Sequence, residues 1–404
     1  MNIVREIKER VLTRIDAMEE EAIRLLSDLV NADSVNPPGD TRKAMEVILG
    51  KTKSFTENYD VISSEDIAPN IFITLNPGAR PQLLYNGHLD TVPIGDEKQW
   101  NFDPFGAQIV DNRMYGRGVA DMKGGVAAML MAAKILQIEK IPLQGSLVLN
   151  FVSDEETGGK RGTRYLMEKD LYSPDMVVVG EITNRNGIAI AEKGAVIFSL
   201  TTKGRTAHAS TPWVGVNAIE KMVKILYRLN KILGERLKTR PSGILPPATM
   251  NIGMIKGGIA SNIVPDKCSV RLDRRILPGE SVESVTKEIQ DVIHEVKKED
   301  GDIEANLRVL GSGAPFETSP NEMICQIAKN TLKELKLPSE FVGFEQVSDG
   351  RLFAEKGIPT ILIGPGIAKE AHTPDESLEL DQYMEAIKIY AILAINVLGI
   401  IKEQ

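Results

Sequence analysis

The stretch SLVLNFVSDEETGG, Ser146–Gly159, decides how this chain is read. Its first half, Ser146–Val152, carries no charge and is rich in Val, Leu and Phe, the pattern of a strand buried on both faces. Its second half sets three carboxylates in a row, Asp154, Glu155 and Glu156, before a glycine pair. Adjacent carboxylates repel one another, and the mouth of a buried strand is a poor place for unpaired charge. On a solvated turn they would carry little penalty, whereas beside a cation they would be useful. In extended backbone Glu155 and Glu156 point to opposite sides. One can then hold a cation while the other stays free to take a proton from water.

Working outward, further short apolar runs follow the same pattern: IFITL (Ile71–Leu75), QLLYNG (Gln82–Gly87), MVVVG (Met176–Gly180) and PTILIG (Pro359–Gly364). Helix-like segments such as GGVAAMLMAAKIL (Gly124–Leu136) lie between some of them. The alternation predicts an α/β fold with a buried sheet. The first thirty residues place apolar side chains at helical spacing, which predicts one long opening helix, and a C-terminal helix is expected from about Leu380. Between about Gly187 and Leu310 the pattern changes. One strand is expected over Gly187–Gly204, a helix over Val214–Leu233, and strands near Thr249–Ile255 and Lys267–Leu272. A helix over Val282–Lys298 and a strand over Ile303–Leu310 follow. Strand–helix–strand–strand–helix–strand is the order of a split βαβ unit. The expected organisation is a sheet domain from residues 1–186 and 312–404, interrupted by a second domain over residues 187–311. The segment Gly234–Ala248 reads as a proline-containing loop inside the insert.

Composition narrows the function. A chain of 404 residues is long for one domain. A net charge of −8 argues against a general nucleic-acid binder, which needs a basic surface. Cys268 and Cys325 stand far apart without metal-type spacing, so they are expected to be unpaired, which suits a reducing cytosol. The charged, amphipathic start lacks the apolar core of a signal peptide, and no run reaches membrane-spanning length. The expectation is a cytoplasmic protein with no membrane partner.

There are only four histidines, and three of them lie in polar, turn-rich surroundings at or near strand ends. In NGHLDTVP (Asn86–Pro93) a strand delivers His88, and Asp90 shares its face two residues on, where a carboxylate can orient the ring or steady its neighbourhood. Taken alone, a turn aspartate beside a surface histidine is the commoner explanation. GRGVADMKGG (Gly116–Gly125) nearly matches a dinucleotide loop but ends in Asp121, a carboxylate in a tight turn or an N-cap before the Ala-rich helix. VVVGEIT (Val177–Thr183) puts Glu181 at a strand mouth, where ligands of open α/β sheets gather. EAHTPDE (Glu370–Glu376) puts His372 beyond the last sheet strand. Each alone is bland. Together His88, Asp121, Glu156, Glu181 and His372 form a set of nitrogen and oxygen donors. With one carboxylate shared, it would hold two divalent cations, zinc first, with cobalt or manganese as alternatives.

In order, GHLDTVP, GRGVADMKGG, SDEETGG, GEIT and AHTPDE resemble the motifs of the di-zinc deacylase and exopeptidase family, which includes acetylornithine deacetylase, succinyl-diaminopimelate desuccinylase, aminoacylase and glutamate carboxypeptidase. The resemblance runs from about Leu83 to Ser377. It implies a sheet domain of the zinc-peptidase type with an inserted ferredoxin-like lid and dimerisation domain. It also implies roles. His88 and Glu181 would hold one metal, Glu156 and His372 the other, and Asp121 would bridge them. Glu155 would be the general base and Asp90 would support the first position. Ile182 stands where the family often has proline. In the insert, TKGRTAHASTPWVGVNAI (Thr202–Ile219) is similar to the lid signature, which implies that His208 stabilises an oxyanion on the partner subunit's substrate. GGIASNIVPDKCSVRLDRR (Gly257–Arg275) resembles the segment supplying Asn262 and an arginine for a substrate carboxylate, with Arg275 favoured over Arg274 by its spacing from Asp273.

The expected protein is a homodimeric amidohydrolase that removes an N-acyl group from a small amino-acid derivative. A dipeptidase or carboxypeptidase of the same family is the alternative. A catalytically inactive, metal-stabilised dimeric binding protein is the reading from another class, against which the intact Glu155 and the full donor set speak. A phosphoesterase would need a basic cluster beyond the arginine pair. His294, on a charged helix, reads as solvated.

Overall fold

Ser146–Val152 is a strand buried along its whole length, with a neighbouring strand on each of its edges and helices packed against it. Gln82–His88 runs parallel to it on one side and Pro69–Leu75 antiparallel on the other. The computed structural model describes residues 2–401. Across this sheet the order is Tyr59–Ser63, Pro69–Leu75, Ser146–Val152, Gln82–His88, Met176–Val179, Thr360–Leu362 and Ile188–Glu192. The central strands Ser146–Val152, Gln82–His88, Met176–Val179 and Thr360–Leu362 are mutually parallel, so their carboxyl ends open on one edge, where open α/β sheets gather ligands.

Helices Gly124–Ile138 and Leu380–Leu398 pack on each other and on the central strands, with Asn2–Ala17 and Glu19–Asn31 against them. Gly124–Ile138 is apolar nearly all round and buried over Gly124–Leu136, as a helix with other elements on every side must be. Its first turn needs glycine. A Cβ at Gly125 would lie 2.2 Å from the carbonyl oxygen of Gly180, so only a bare backbone lets the helix start reach the end of the Met176–Val179 strand. The expected single opening helix is two, broken at Met18.

The chain forms two compact units. The larger ends its first run at Ile190 and resumes over Thr318–Val342 and from Ser348; the smaller is Ala191–Glu317 with Gly343–Val347. The smaller unit has an antiparallel sheet in the order Thr249–Gly257, Lys267–Ile276, Gly194–Lys203, Glu304–Gly313. Helices Ala218–Thr239 and Val282–Glu299 pack on it around a separate core. The α/β sheet unit and the inserted strand–helix–strand–strand–helix–strand unit anticipated from the sequence are both present. The strand expected over Gly187–Gly204 is two, Ile188–Glu192 in the large sheet and Gly194–Lys203 in the small one, with Lys193 between them. The helix of the insert runs on to Thr239, six residues into the expected loop Gly234–Ala248. Among the described residues no helix is long and apolar enough to cross a membrane.

Gly125→Ala forces methyl against backbone and should destabilise the larger unit by about 1–3 kcal/mol. Gly50→Ala, on an exposed helix position with nothing within 4 Å of the added carbon, should be neutral or stabilising by up to about 1 kcal/mol. Urea unfolding of both variants checks this; equal stabilities would contradict the close approach.

Candidate metal centre

The residues singled out in the larger unit meet at the open edge of its sheet. His88 ends the Gln82–His88 strand opposite Val152. Its Nδ1 lies 2.9 Å from the main-chain oxygen of Asp90. In the neutral ring that contact puts the proton on Nδ1 and leaves the lone pair on Nε2. Nε2 faces Asp121 Oδ1 at 3.3 Å and Glu181 Oε1 at 3.8 Å. From the other side His372 Nε2 faces Asp121 Oδ2 at 3.2 Å and Glu156 Oε1 at 3.4 Å. Asp121 thus offers one oxygen to each imidazole. A donor atom of each of His88, Asp121 and Glu156 lies within 4.8 Å of the other two.

The acidic triplet is not extended. Asp154 takes a left-handed conformation and Glu155–Thr157 is a single 3-10 turn, so successive side chains diverge by the turn's threefold winding. Each carboxylate has a different fate. Asp154 accepts from Arg161 Nη2 at 2.9 Å and from the Arg161 N–H at 3.0 Å. Glu156 approaches His372, but its buried Oε1 has no well-formed hydrogen bond. Glu155, half-buried, makes no side-chain hydrogen bond or ion pair among the described residues. Asp90 accepts from the N–H of Glu155 at 3.1 Å and of Glu156 at 3.2 Å, and from Asn36 Nδ2 at 2.8 Å. Its carboxylate therefore fastens the acidic turn to the His88 strand, and its carbonyl, not its carboxylate, orients the ring.

Electrostatics follow from this crowding. Burial opposes the charged form of His88, but Asp121, Glu181 and Asp90 outweigh it and hold the ring well above its ordinary range. Asp121 and Glu156 raise His372 to about 10. For Asp121, burial works against ionisation, yet the two imidazoles push its pKa below the ordinary aspartate value. Burial, then the carboxylates of Asp349, Glu181 and Glu156 against the opposing pull of His88, leave Glu155 well above the ordinary glutamate value. Two imidazoles and several carboxylates converge, the buried Glu156 Oε1 lies near His372 without a well-formed hydrogen bond, and neither Asp121 nor Glu156 has a lysine or arginine partner among the described residues. This donor chemistry fits divalent cations of the zinc class.

Sequence reading missed the supports. Glu376, fully buried, binds the N–H groups of Ala120 and Asp121 and pairs with Arg117. Asp349, 1% exposed, accepts from Thr163 Oγ1 at 2.5 Å. Arg117 and Glu376 stand inside quoted motifs, where a charged residue beside a candidate was the available signal; Asp349 had none.

In the smaller unit, His208 and Asn262 come together: Ala209 N–H donates to the Asn262 carbonyl at 3.0 Å, and His208 bridges Ile263. His208 is exposed, and its Nδ1 accepts from the Ser210 N–H at 3.1 Å, which places the neutral ring's proton on Nε2. Arg275 is not beside them. It lies eight residues along its strand from Lys267, roughly 27 Å at strand rise. Arg275 pairs with Asp273 at 3.0 Å on the face not covered by helices. Arg274 points the other way, 1% exposed, and pairs with Glu280 at 2.7 Å.

Comparison with known proteins gives a consistent picture. The profile of peptidase family M20/M25/M40 matches residues 84–396. The N-formyl-4-amino-5-aminomethyl-2-methylpyrimidine deformylase of Halalkalibacterium halodurans is 29% identical, over 94% of this chain and 95% of its own. The acetylornithine deacetylase of Vibrio atlanticus is 30% identical, over 89% and 94%. Human carnosine dipeptidase 1 shares the fold with a TM-score of 0.76 at 18% identity, over 97% of this chain and 98% of its own. A Bacillus subtilis protein, described as a dinuclear metal-binding peptidase of family M20, does so with a TM-score of 0.71 at 18% identity, over 96% and 100%.

The raised His372 pKa has a signed consequence for the metal-free protein. Folding favours the protonated ring, so its contribution is complete below the unfolded value of 6.5 and is lost as pH rises toward and through about 10. The depressed Asp121 contributes in the opposite sense, above 3.8, and loses its contribution as pH falls. Between pH 6.5 and 10 the metal-stripped parent should lose stability relative to His372→Gln. Superimposable stability profiles for the two proteins across that range would contradict the pairing.

Proposed function

Because the chain belongs to peptidase family M20/M25/M40 and is a metallohydrolase acting on amide bonds, we propose that it removes a small N-acyl group from an amino-acid-like amine. The observation that carries the reading is the single carboxylate of Asp121 divided between two imidazoles, with the acid Glu155 in the electrostatic neighbourhood of one of them, His88. The sequence relatives support a deacylase, since their names are those of a deformylase and a deacetylase at near full-length coverage.

In this reading His88, Asp121 and Glu181 hold one cation, and Asp121, Glu156 and His372 hold the other, with zinc the metal that suits an imidazole and carboxylate set. Two divalent cations bound there supply the positive charge that acidifies water and polarises an amide carbonyl. Glu155 takes the proton of the attacking water on its carboxylate and returns it to the leaving amine. Asp90 keeps Glu155 at this place through the turn's amides.

The smaller unit supplies substrate contacts. His208 offers an Nε2 proton to the oxyanion and Asn262 stands beside it, while Arg275 receives a substrate carboxylate with its planar fork. His208 pairs with Ile263, four residues before the strand Lys267–Ile276 begins, whereas Arg275 stands near the far end of that strand. This supports a homodimer in which His208 and Asn262 serve the partner subunit's substrate. The strand Thr249–Gly257 lies at an edge of its sheet with Met254 and Ile255 exposed, and the helix Ala218–Thr239 exposes Val223 and Tyr227. Such apolar surface would suit contact with a second copy of this chain.

Glu155→Ala should lower turnover of the best N-acyl substrate by about 10²–10⁴-fold while retaining the metal content of the parent. The assay is a panel of N-formyl, N-acetyl and N-succinyl amino acids and dipeptides, with metal analysis of the same samples. Full activity in the variant would remove the proton-transfer role, and a parent that binds metal yet leaves every amide intact would remove the enzymatic reading. A preference for dipeptides would turn the assignment to a peptidase.

A further inference from the structure

Glu376 and Arg117 stand in neither cation position, yet they are 0% and 1% exposed and their contacts lead to Asp121. Glu376 Oε1 accepts from the N–H of Ala120 at 3.0 Å and of Asp121 at 3.1 Å. Its Oε2 accepts from Arg117 Nη1 at 2.6 Å, and its main-chain oxygen accepts from the Gly116 N–H at 3.0 Å. The guanidinium carbon of Arg117 sits 5.0 Å from the centre of the Trp100 ring. A buried ion pair is an inefficient way to stabilise a fold, since an apolar pair of similar size often serves as well or better. Its presence here calls for a geometric use.

That use is visible in the backbone. Asp121 (φ −113°, ψ 94°) and Met122 (φ −128°, ψ 34°) depart from helical geometry just before the helix that starts at Gly124. A peptide at such a break lacks the regular partners of a helix interior, and the direction of its side chain is set by whatever holds its N–H. Glu376 holds that N–H and its predecessor with one oxygen. It is also four residues beyond His372, so the segment that delivers the second imidazole delivers the clamp on Asp121 as well.

We infer that the buried Glu376–Arg117 pair is the positioning device that turns Asp121 so that its two carboxylate oxygens serve two different cations. The inference rests on the two-cation reading above. With the clamp in place, Asp121 shows Oδ1 to His88 and Oδ2 to His372. Without it the peptide is free to rotate, Asp121 serves one position at a time, and the second cation is held mainly by Glu156 and His372. Loss of such a supporting partner typically weakens metal binding about 10–100-fold.

The test is calorimetric titration of metal-stripped parent, Glu376→Gln, Arg117→Lys and the double variant R117M/E376M with Zn²⁺ and with Co²⁺. The visible cobalt spectrum is recorded at each stoichiometry, and the stripped proteins are melted. Glu376→Gln keeps the size of the side chain but removes its charge. The double variant removes both charges together, so no buried ion is stranded and the protein stays folded if the single change does not. The parent should take up two cations. Glu376→Gln and R117M/E376M should bind one as the parent does and the other about 10–100-fold more weakly, with an altered cobalt spectrum, and Arg117→Lys should recover much of the loss. Folded variants with two parental affinities and the parental spectrum would overturn the inference. Equal weakening of both cations with a lowered melting temperature would overturn it too, by assigning the pair a general stabilising role. A parent that takes up fewer than two cations strikes at the two-cation reading itself, and takes this inference down with it by a recognisably different result.

Discussion

The structure of the larger unit turns on how many negative charges can be held at one edge of a sheet. Asp90, Asp121, Asp154, Glu155, Glu156, Glu181, Asp349 and Glu376 all lie at or behind the open end of the parallel strands, and most are largely buried. Isolated carboxylates in such a place are strongly disfavoured. Several are therefore compensated locally: Asp90 by amides of the acidic turn, Asp154 by Arg161, Glu376 by Arg117 and two peptide N–H groups, and one oxygen of Asp349 by Thr163. Asp121 and Glu156 find histidines instead. An imidazole can trade its proton for a metal, and a guanidinium cannot. The carboxylates paired to arginine or amide are the scaffold, and those paired to histidine are the ones open to exchange.

The same logic explains why two neighbouring glutamates differ. Glu155 and Glu156 share a turn, a strand end and an anchoring aspartate. Only Glu156 reaches an imidazole. Glu155 is left with burial and three like-charged neighbours, which together outweigh the opposing pull of His88 and raise its pKa. The different surroundings of the two side chains come from one 3-10 turn, which sends them in different directions where a strand would have sent them to opposite faces of a sheet.

In the smaller unit the alternation of a single strand performs a similar division. Arg274 and Arg275 are adjacent in Lys267–Ile276, and strand geometry sends them to opposite faces. Arg274 enters the helix-covered side, where Glu280 and Glu288 meet it together with Arg240. Arg275 stays on the open face with Asp273. Arg274 thus ties the strand to the helix Val282–Glu299, while Arg275 keeps its guanidinium partly exposed beside Asp273.

Much of this was legible in the amino-acid order. Charge-free runs ending in Gly, His or acidic residues marked the strands and their useful ends, because a strand covered on both sides tolerates no charge until it emerges. The periodic insert disclosed a second unit for the same reason. The break at Met18, the split at Lys193 and the extension of a helix to Thr239 were not legible, since element ends depend on neighbours as much as on propensity. What the sequence alone determined is which residues emerge at strand ends and what chemistry they carry. What only the tertiary structure decided is their pairing: that Asp121 faces two histidines, that Asp90 works through main-chain amides, and that Glu376, 255 residues from Asp121 in the chain, holds its peptide. Local pattern reports burial, which is a property of each segment. Pairing is a distance across segments, and it exists only once the chain has closed.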